Sequence, residues 1–334
     1  MSLTDLHNQL CAFARAHTGD PDAEVRDLRA MPGHAGFSWG FSFISRDGAQ
    51  PLVLRLPPPG VRYVGNADIV RQGRVIAALA VTDVPVAPVR WMGDAERWFG
   101  RPYLIVDLLP GNTLVPIGGG PRPDLDAARL DHMAAETARV LAALHQLDWQ
   151  QILSGLGPPM PLEEEVARCD YLFDRTADPD LVRAAPELKR RLLDRLPSDP
   201  HTGILHGDFQ WSNLLYRPDG SVLAVIDWEL AGVGATGIDL GWLAVFSDLE
   251  SWVGAARWDL PLPGPERVAA LYAEASGVPV ADLPWYRAFA GYRFGLIAGF
   301  NLMLHRRGKR VDPLYEDFAP SIPRLLERGL AVLG

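Results

Sequence analysis

The sequence predicts an α+β protein in which a strand-rich first part precedes a larger helical part. Bulky side chains alternate with small polar ones from Phe37 to Phe43, which is the period of a β-strand. From Leu130 to Leu147 apolar residues recur at spacings of three and four, which is the period of an amphipathic helix. A chain of 334 residues is long enough for two lobes. We therefore expect a first lobe at residues 1–109 and a second at residues 110–334.

The first lobe is predicted to be a small, mainly antiparallel sheet with two helices. Helical spacing predicts an opening helix from Leu3 that ends near Gly19. Arg46-Asp47-Gly48 is a hairpin turn signal, and residues 51–56 form the return strand. A helix at about 68–80 and a strand at 103–109 complete this part, and Pro110-Gly111 ends the strand.

The second lobe is predicted to be mainly helical. A Gly- and Pro-rich loop at 117–123 precedes the long helix. The further predicted helices lie at 162–176, 181–196, 265–276, 282–306 and 313–332.

The segment 204–245 concentrates acidic residues in loops between short apolar runs. His206-Gly207-Asp208 follows one apolar run, and Asn213 precedes the next. Pro218-Asp219-Gly220 is a turn, and the apolar run after it ends at Asp227. A hairpin with one acid before it and one after it brings the two acids close together.

The types of these residues point to phosphoryl transfer. The spacing His206-x-Asp208-x4-Asn213 matches the catalytic loop of kinases. Hard cations such as Mg2+ prefer oxygen ligands, which Asn213 and Asp227 would supply. Asp208 is then left to orient a substrate hydroxyl. His206 is interpreted as a packed residue that shapes the loop.

HGDFQWSN, followed by VIDWE and GIDL, resembles the aminoglycoside phosphotransferase and choline kinase group, which are small-molecule relatives of the protein kinases. The resemblance implies a two-lobed protein-kinase-like fold and transfer of phosphate from ATP or GTP, with Mg2+, to a small-molecule hydroxyl. It makes Asp208 the catalytic base and Asn213 and Asp227 the magnesium ligands. Asp239 becomes a buried support for the catalytic loop.

The resemblance also implies positions for the nucleotide. A glycine-containing turn with Gly33 and Gly36 would cover it, although a plain hairpin turn fits the sequence equally well. Backbone groups of Val106, Asp107 and Leu108 would bind the adenine edge at the hinge between the lobes.

Two departures from the family pattern keep a second hypothesis open. The only lysines, Lys189 and Lys309, lie outside the first lobe, so Arg55 stands where a kinase has its phosphate-binding Lys. Gln72 stands where a Glu is expected, and it could accept a hydrogen bond without an ion pair. Arg keeps the charge and adds a planar fork suited to phosphate. The alternatives are a catalytically impaired pseudokinase or small-molecule binding module, and a metal-dependent hydrolase that uses His206, Asp208, Asp227 and Asp239.

Composition limits the partners. A net charge of −9 argues against nucleic acid. The longest apolar run, 294–304, is too short to span a bilayer, and the N-terminus has no signal-peptide pattern. Cys11 and Cys169 form no disulfide framework or metal motif, which indicates a reducing cytoplasm.

The expected partner is a small-molecule hydroxyl acceptor whose identity stays open. Sugars, amino alcohols, antibiotics and acyl-linked hydroxy compounds all fit. Asp170 and Asp174 lie four residues apart on one helical face. Such acids help hold cationic sugars in antibiotic-modifying relatives, whereas a solvated acidic face explains them equally simply.

Overall fold

A computed structural model of the chain describes residues 2–31, 37–94, 96–117, 119, 122, 124–254 and 260–334. The chain divides into two compact units. The first contains residues 1–111 and 223–231, and the second contains residues 112–222 and 232–334.

The first unit is built on a five-stranded antiparallel sheet with the strand order β1-β2-β3-β5-β4. Its strands are β1 (Glu24–Ala30), β2 (Ser38–Ser45), β3 (Gly48–Arg55), β4 (Val89–Gly93) and β5 (Tyr103–Asp107). Its helices are α1 (Leu3–Thr18), α2 (Ile69–Leu79) and α3 (Glu96–Phe99). Pairing of Ser45 with Gly48 confirms the predicted hairpin between β2 and β3.

The alternating pattern places one face of this sheet in the core. Phe41 and Phe43 of β2 are buried with Leu52 and Leu54 of β3, and Phe13 of α1 packs against Phe43. Arg55 follows Leu54 and is therefore on the other face of β3. The β3 strand thus supplies both core residues and one candidate site residue.

Residues 223–231 are part of the first unit. The Val225 amide donates to the Pro85 carbonyl at 2.8 Å, and Arg71 of α2 donates to the Ala231 carbonyl. These bonds fix both ends of the segment that carries Asp227. Asp227 itself has a left-handed backbone with φ of 67°, a conformation that Asp tolerates better than most residues.

The second unit is mainly helical. Its helices are α4 (Ala127–His145), α5 (Trp149–Ile152), α6 (Leu162–Ala167), α7 (Asp170–Phe173), α8 (Ala185–Asp194), α9 (Gly237–Ser247), α10 (Pro265–Ser276), α11 (Leu283–Arg306), α12 (Leu314–Phe318) and α13 (Ser321–Leu333). The remaining strands of the described residues are β6 (Thr202–Leu205), β7 (Leu214–Tyr216), β8 (Val222–Val225) and β9 (Gly232–Ala235). Strands β6 and β9 pair antiparallel.

Two helices predicted as continuous are broken. The predicted helix at 162–176 is two short helices, α6 and α7, and the predicted helix at 313–332 is α12 followed by α13. Pro320 explains the second break, because proline lacks the N–H that continues a helix. The predicted helix at 181–196 narrows to α8, which has Pro186 in its first turn.

Helix α9 positions the candidate site because it packs closely on α11. All of its residues are buried. A Cβ added at Gly241 would lie 2.4 Å from the carbonyl oxygen of Tyr286, so only glycine allows this approach.

Among the described residues, none of the helices has the length and apolarity needed to cross a membrane.

Candidate active site

The loop between β6 and β7 presents the carboxylate of Asp208 to three side-chain donors. Oδ1 of Asp208 accepts from Nε1 of Trp242 at 2.6 Å and from Nε2 of Gln210 at 2.8 Å. Oδ2 accepts from Nδ2 of Asn213 at 2.8 Å. These bonds fix the carboxylate in one orientation.

Asn213 is oriented by the same loop. Its Nδ2 also donates to the backbone carbonyl of Asp208 at 2.8 Å, so both of these side-chain hydrogen bonds use the amide nitrogen. The amide oxygen is therefore the atom that can ligate a hard cation. The structure thus brings two of the predicted site residues together.

Burial raises the pKa of Asp208 above its ordinary value, because the ionised form loses solvation. The charge of His206 and the hydrogen bonds from Gln210, Asn213 and Trp242 oppose this rise, because each favours the carboxylate. A carboxylate with a raised pKa is a better proton acceptor for a hydroxyl than an exposed one.

Asp239, in the first turn of α9, holds the loop from beneath. It is fully buried, and it accepts from the backbone N–H of His206 at 2.7 Å and of Gly207 at 2.8 Å. Desolvation would raise its pKa, but hydrogen bonds and charge from His145 and His206 outweigh it, and the pKa of Asp239 is lowered. Both carboxylate oxygens are engaged with backbone donors, which does not fit the hydrolase hypothesis in which Asp239 binds a metal.

His145, at the end of α4, extends this network. It is buried, and burial lowers its pKa because the protonated ring loses solvation, although the hydrogen bond and charge of Asp239 oppose this shift. Nε2 lies 3.5 Å from Asp239, and Nδ1 is hydrogen-bonded to the Tyr272 hydroxyl at 2.8 Å. The hydrogen-bond network that supports the catalytic loop therefore includes side chains of α9, α4 and α10.

Sequence reasoning missed Trp242 and Gln210 as partners of Asp208. Trp242 lies three residues after Asp239 on α9, and residues at this spacing share a helical face. The position of Trp242 on the same helical face as Asp239 could have identified it, because Asp239 was already expected to contact the loop.

In the first unit, Arg55 pairs with Asp227. Nη2 of Arg55 lies 2.7 Å from Oδ1 of Asp227, and the Arg55 side chain is only 15% exposed. The pair links the predicted phosphate-binding residue directly to a predicted magnesium ligand.

Gln72 does not pair with Arg55. It is buried in α2, and its Nε2 donates to the Asn66 carbonyl at 2.9 Å. Its Oε1 has no hydrogen-bond partner among the residues that the structure describes. The hydrogen bond that would replace the Lys–Glu ion pair of kinases is thus not made in this structure.

The predicted hinge residues have most of their donors occupied. Val106 pairs with Val53 and Val89 in the sheet. The Asp107 amide donates to the Pro88 carbonyl and the Leu108 amide to the Pro51 carbonyl, both at 3.0 Å. The Asp107 carboxylate accepts both arms of the Arg90 guanidinium, at 2.7 and 2.6 Å.

The remaining predicted residues are the glycines of the proposed nucleotide-covering turn and the acids of the second unit. Gly33 and Gly36 lie outside the described residues. Asp170 is paired with Lys189, whose Nζ lies 2.6 Å from Oδ1, so its charge is already compensated. No group of three or more His, Cys, Asp and Glu side chains is arranged to hold a metal ion within the described part of the chain.

An antiparallel sheet unit, a helical unit and an HGD loop whose Asp contacts an Asn five residues later define a protein-kinase-like phosphotransferase. The family model of the phosphotransferase enzyme family, APH, matches residues 34–289, which is more than half of the chain. The chain belongs to this family.

Solved structures of the same fold cover nearly the whole chain. A Ralstonia eutropha JMP134 protein, provisionally designated an aminoglycoside phosphotransferase, is 25% identical with a TM-score of 0.76, over 98% of this chain and 97% of that chain. A thermostable mutant of aminoglycoside phosphotransferase APH(4)-Ia, in a ternary complex with ADP and hygromycin B, is 18% identical with a TM-score of 0.61, over 95% and 98% of the two chains. The second likeness shows the fold alone.

Among curated proteins, acyl-CoA dehydrogenase family member 10 of Mus musculus is 27% identical over 261 residues. The match covers 74% of this chain but only 24% of that protein. The chain thus spans about a quarter of the length of this relative, and the name of the relative describes a different chemistry from phosphoryl transfer.

Proposed function

We propose that the chain transfers the γ-phosphoryl group of ATP to a hydroxyl of a small molecule, with Mg2+. The observation that carries the proposal is the Asp208 carboxylate, fixed by Trp242, Gln210 and Asn213 on a loop that Asp239 anchors. An oriented base with a raised pKa next to a neutral oxygen ligand is the arrangement that phosphoryl transfer to an alcohol needs.

Each predicted residue has a role in this proposal. The substrate hydroxyl oxygen would attack the γ-phosphorus of ATP, the bond from that phosphorus to the β,γ-bridging oxygen would break, and ADP would leave. The hydroxyl proton would pass to Asp208. Asn213 and Asp227 would supply oxygen ligands to Mg2+, which would neutralise charge on the phosphates. Arg55 binds phosphate oxygens. Residues 1–109 would bind the nucleotide and residues 110–334 the acceptor.

The adenine contact is proposed to use carbonyl oxygens of Val106 to Leu108 as acceptors. The amides of Asp107 and Leu108 already donate within the sheet unit, so the donor to the base would be the Leu109 amide. Gly33 and Gly36 would cover the phosphates. The ADP complex of APH(4)-Ia supports an adenine nucleotide, and GTP is the competitor to test beside ATP.

Two acceptor classes have specific support. The solved structures favour an antibiotic or amino sugar, because APH(4)-Ia holds hygromycin B. The murine relative favours a hydroxyacyl compound, because its name describes an acyl-CoA dehydrogenase. Both cysteine thiols are unpaired and buried, which supports a reducing cytoplasm as the compartment.

A catalytically impaired binding module is the competing function. Oε1 of Gln72 favours it, because this atom has no partner among the described residues. A kinase has an ion pair at this position that holds its phosphate-binding side chain. Under this alternative the chain binds nucleotide or acceptor without transferring phosphate.

Two measurements separate these functions. Thermal shift with ATP, GTP and Mg2+, alone and combined, is compared between the wild type and Asp227→Ala; a shift that needs both ligands and disappears in the variant supports the nucleotide site. ADP release is then measured over a panel of hydroxyl acceptors. Transfer that falls at least about a hundredfold in Asp208→Asn, with nucleotide binding retained, supports the kinase. Binding without transfer to any acceptor supports the binding module.

A further inference from the structure

We infer that the acceptor of this enzyme carries a negatively charged group beside an apolar chain, and that Arg293 binds that charge. The inference rests on the proposed function, because it concerns the molecule whose hydroxyl Asp208 would activate. All of the residues that carry it belong to the second unit.

Trp242 connects the base to a cation. The edge of its indole donates to Asp208 at 2.6 Å, while the guanidinium carbon of Arg293 lies over the ring, 5.0 Å from the centroid. The ring is buried against Phe246 and Phe294 at centroid distances of 5.7 and 5.8 Å. A positive charge is therefore held within one tryptophan ring of the base.

Arg293 has no acidic partner among the residues that the structure describes, and it is half-buried in α11. The two acids that share its neighbourhood around Cys169 are already compensated. Glu165 lies 3.5 Å from Arg168, and Asp170 lies 2.6 Å from Lys189. A half-buried guanidinium without a carboxylate is a donor fork available to an anion.

The surface that continues from Arg293 is apolar. Helix α11 is buried over most of its circumference, but Arg293, Ile297, Phe300 and Leu304 are half-buried at spacings of four, three and four. Such residues lie on one face of a helix. Tyr171 of α7 packs beside this face, with its ring centroid 5.9 Å from that of Phe300.

The face thus has one cation at the end next to Trp242 and apolar side chains along its length. A carboxylate or phosphate on the acceptor would receive charge-assisted hydrogen bonds from Arg293, and a hydrocarbon chain would cover Ile297, Phe300 and Leu304. A polycationic amino sugar would instead place positive charge against Arg293. The contacts favour a hydroxy acid or a hydroxyalkyl phosphate over an aminoglycoside.

A matched set of acceptors tests the charge. An ω-hydroxy carboxylate, the diol and the amino alcohol of equal chain length differ only in the charge at one end, and the corresponding hydroxyalkyl phosphate distinguishes the two anions. The wild type is expected to prefer an anionic acceptor to the diol by at least about tenfold in kcat/KM, the ratio that one charge-assisted contact supplies. A preference for the amino alcohol overturns the inference.

Variants assign the preference to Arg293. Arg293→Met should bring the ratio of anion to diol close to one through KM, and Arg293→Lys should retain part of it. The control Arg183→Met removes an exposed arginine that pairs with Asp180 and should leave the ratio unchanged. An unchanged ratio in Arg293→Met, with an unchanged melting temperature, refutes the role of Arg293.

Titration calorimetry measures binding of the anion even when no phosphate is transferred. If no acceptor is phosphorylated, the hydroxy carboxylate is titrated into the wild type and into Arg293→Met. Weaker binding to the variant supports the anion site even though the proposed transfer has failed, and equal binding overturns it. Transfer to the diol or the amino alcohol alone would support the proposed kinase function and would refute the inference that the acceptor is anionic.

Discussion

Nη2 of Arg55 lies 2.7 Å from Oδ1 of Asp227, although 172 positions separate the two residues in the sequence. The ion pair joins β3 to the segment 223–231 inside the first unit. Arg55 is proposed to bind phosphate and Asp227 to bind Mg2+. In this structure the two side chains instead pair with each other. Bound Mg2+ would therefore compete with Arg55 for the Asp227 carboxylate.

Arg55→Met is expected to change the two ligands in opposite directions. Nucleotide should bind about tenfold to a hundredfold more weakly, because a charge-assisted contact to phosphate contributes about 1.5–3 kcal/mol. Mg2+ alone should raise the melting temperature of the variant more than that of the wild type, because the Asp227 carboxylate no longer has a competing cation. Thermal shift with each ligand measures both effects.

The control for this prediction is Arg90→Met, which removes another arginine of the same sheet, paired with Asp107. It should leave the response to Mg2+ unchanged. If Arg55→Met responds to both ligands as the wild type does, the pair has no part in ligand binding.

Trp242→Phe is expected to move the acid limb of the pH profile to higher pH. Burial already raises the pKa of Asp208 above 3.8, and the Trp242 N–H opposes that rise by stabilising the carboxylate. Phenylalanine keeps an aromatic ring but removes the donor, so the pKa of Asp208 rises further. The base works only when ionised. As the pH is lowered, kcat/KM of the variant should therefore begin to fall at a higher pH than kcat/KM of the wild type, and a pH–rate profile measures this.

Trp252→Phe is the matched control for Trp242→Phe. Trp252 belongs to the same aromatic cluster, but its Nε1 donates to the Val245 carbonyl at 2.9 Å. Its loss should leave the acid limb in place. Superimposed profiles for Trp242→Phe and the wild type would show that the indole N–H does not act on the base.

Local patterns predicted the parts of this molecule that depend on nearest neighbours in sequence. The alternation at Phe41 and Phe43 predicted the strand that the structure contains. The spacing of Asp208 and Asn213 singled out two residues whose side chains are hydrogen-bonded in the structure. Strand β1 was missed, because its sequence EVRDLRA has no clear alternation. Its pairing with β2 is what makes it a strand.

Tertiary contacts decided what the sequence could not show. The donor from Trp242 to Asp208 depends on how α9 packs under the loop, and the Arg55–Asp227 pair depends on the placement of a segment far along the chain. Gln72 could be located on α2 by its period, but its partner, the Asn66 carbonyl, could not be predicted from that period. Periodicity fixes the face on which a residue lies, and packing fixes its partner.

Asp239→Asn is expected to destabilise the protein by about 3 kcal/mol at neutral pH, because a buried amide cannot accept from both backbone donors. The folded-state pKa of Asp239 is lowered, so its contribution is present above the ordinary value of 3.8 and is lost as pH falls through the folded value. Urea unfolding at neutral and acidic pH should therefore show a gap between variant and wild type that narrows in acid.

Asp131→Asn provides the comparison for a surface acid. Asp131 forms an exposed pair with Arg267, and its loss should cost less than about 1 kcal/mol. Equal losses for the two variants would contradict the anchoring role of Asp239.

Gly241→Ala is expected to destabilise the protein and reduce transfer together. Alanine in a helix interior normally stabilises by about 1 kcal/mol over glycine. At this position the new Cβ would lie 2.4 Å from the Tyr286 carbonyl oxygen and 2.5 Å from its carbon, so α9 and α11 must separate. Overpacking of this kind costs about 1–3 kcal/mol, and the clash with backbone atoms puts this site at the upper end. We expect a net loss of about 2 kcal/mol, measured by urea unfolding.

The loss of activity should follow from the same movement, because α9 carries both Asp239 and Trp242. A shift of α9 displaces the donor to Asp208 and the acceptor of the loop amides, so kcat should fall more than nucleotide affinity. Gly155→Ala is the control, since a Cβ there meets no atom within 4 Å, and it should change stability by less than about 0.5 kcal/mol. A stable, fully active Gly241→Ala variant would mean that the close approach of α9 and α11 does not set the position of the catalytic loop.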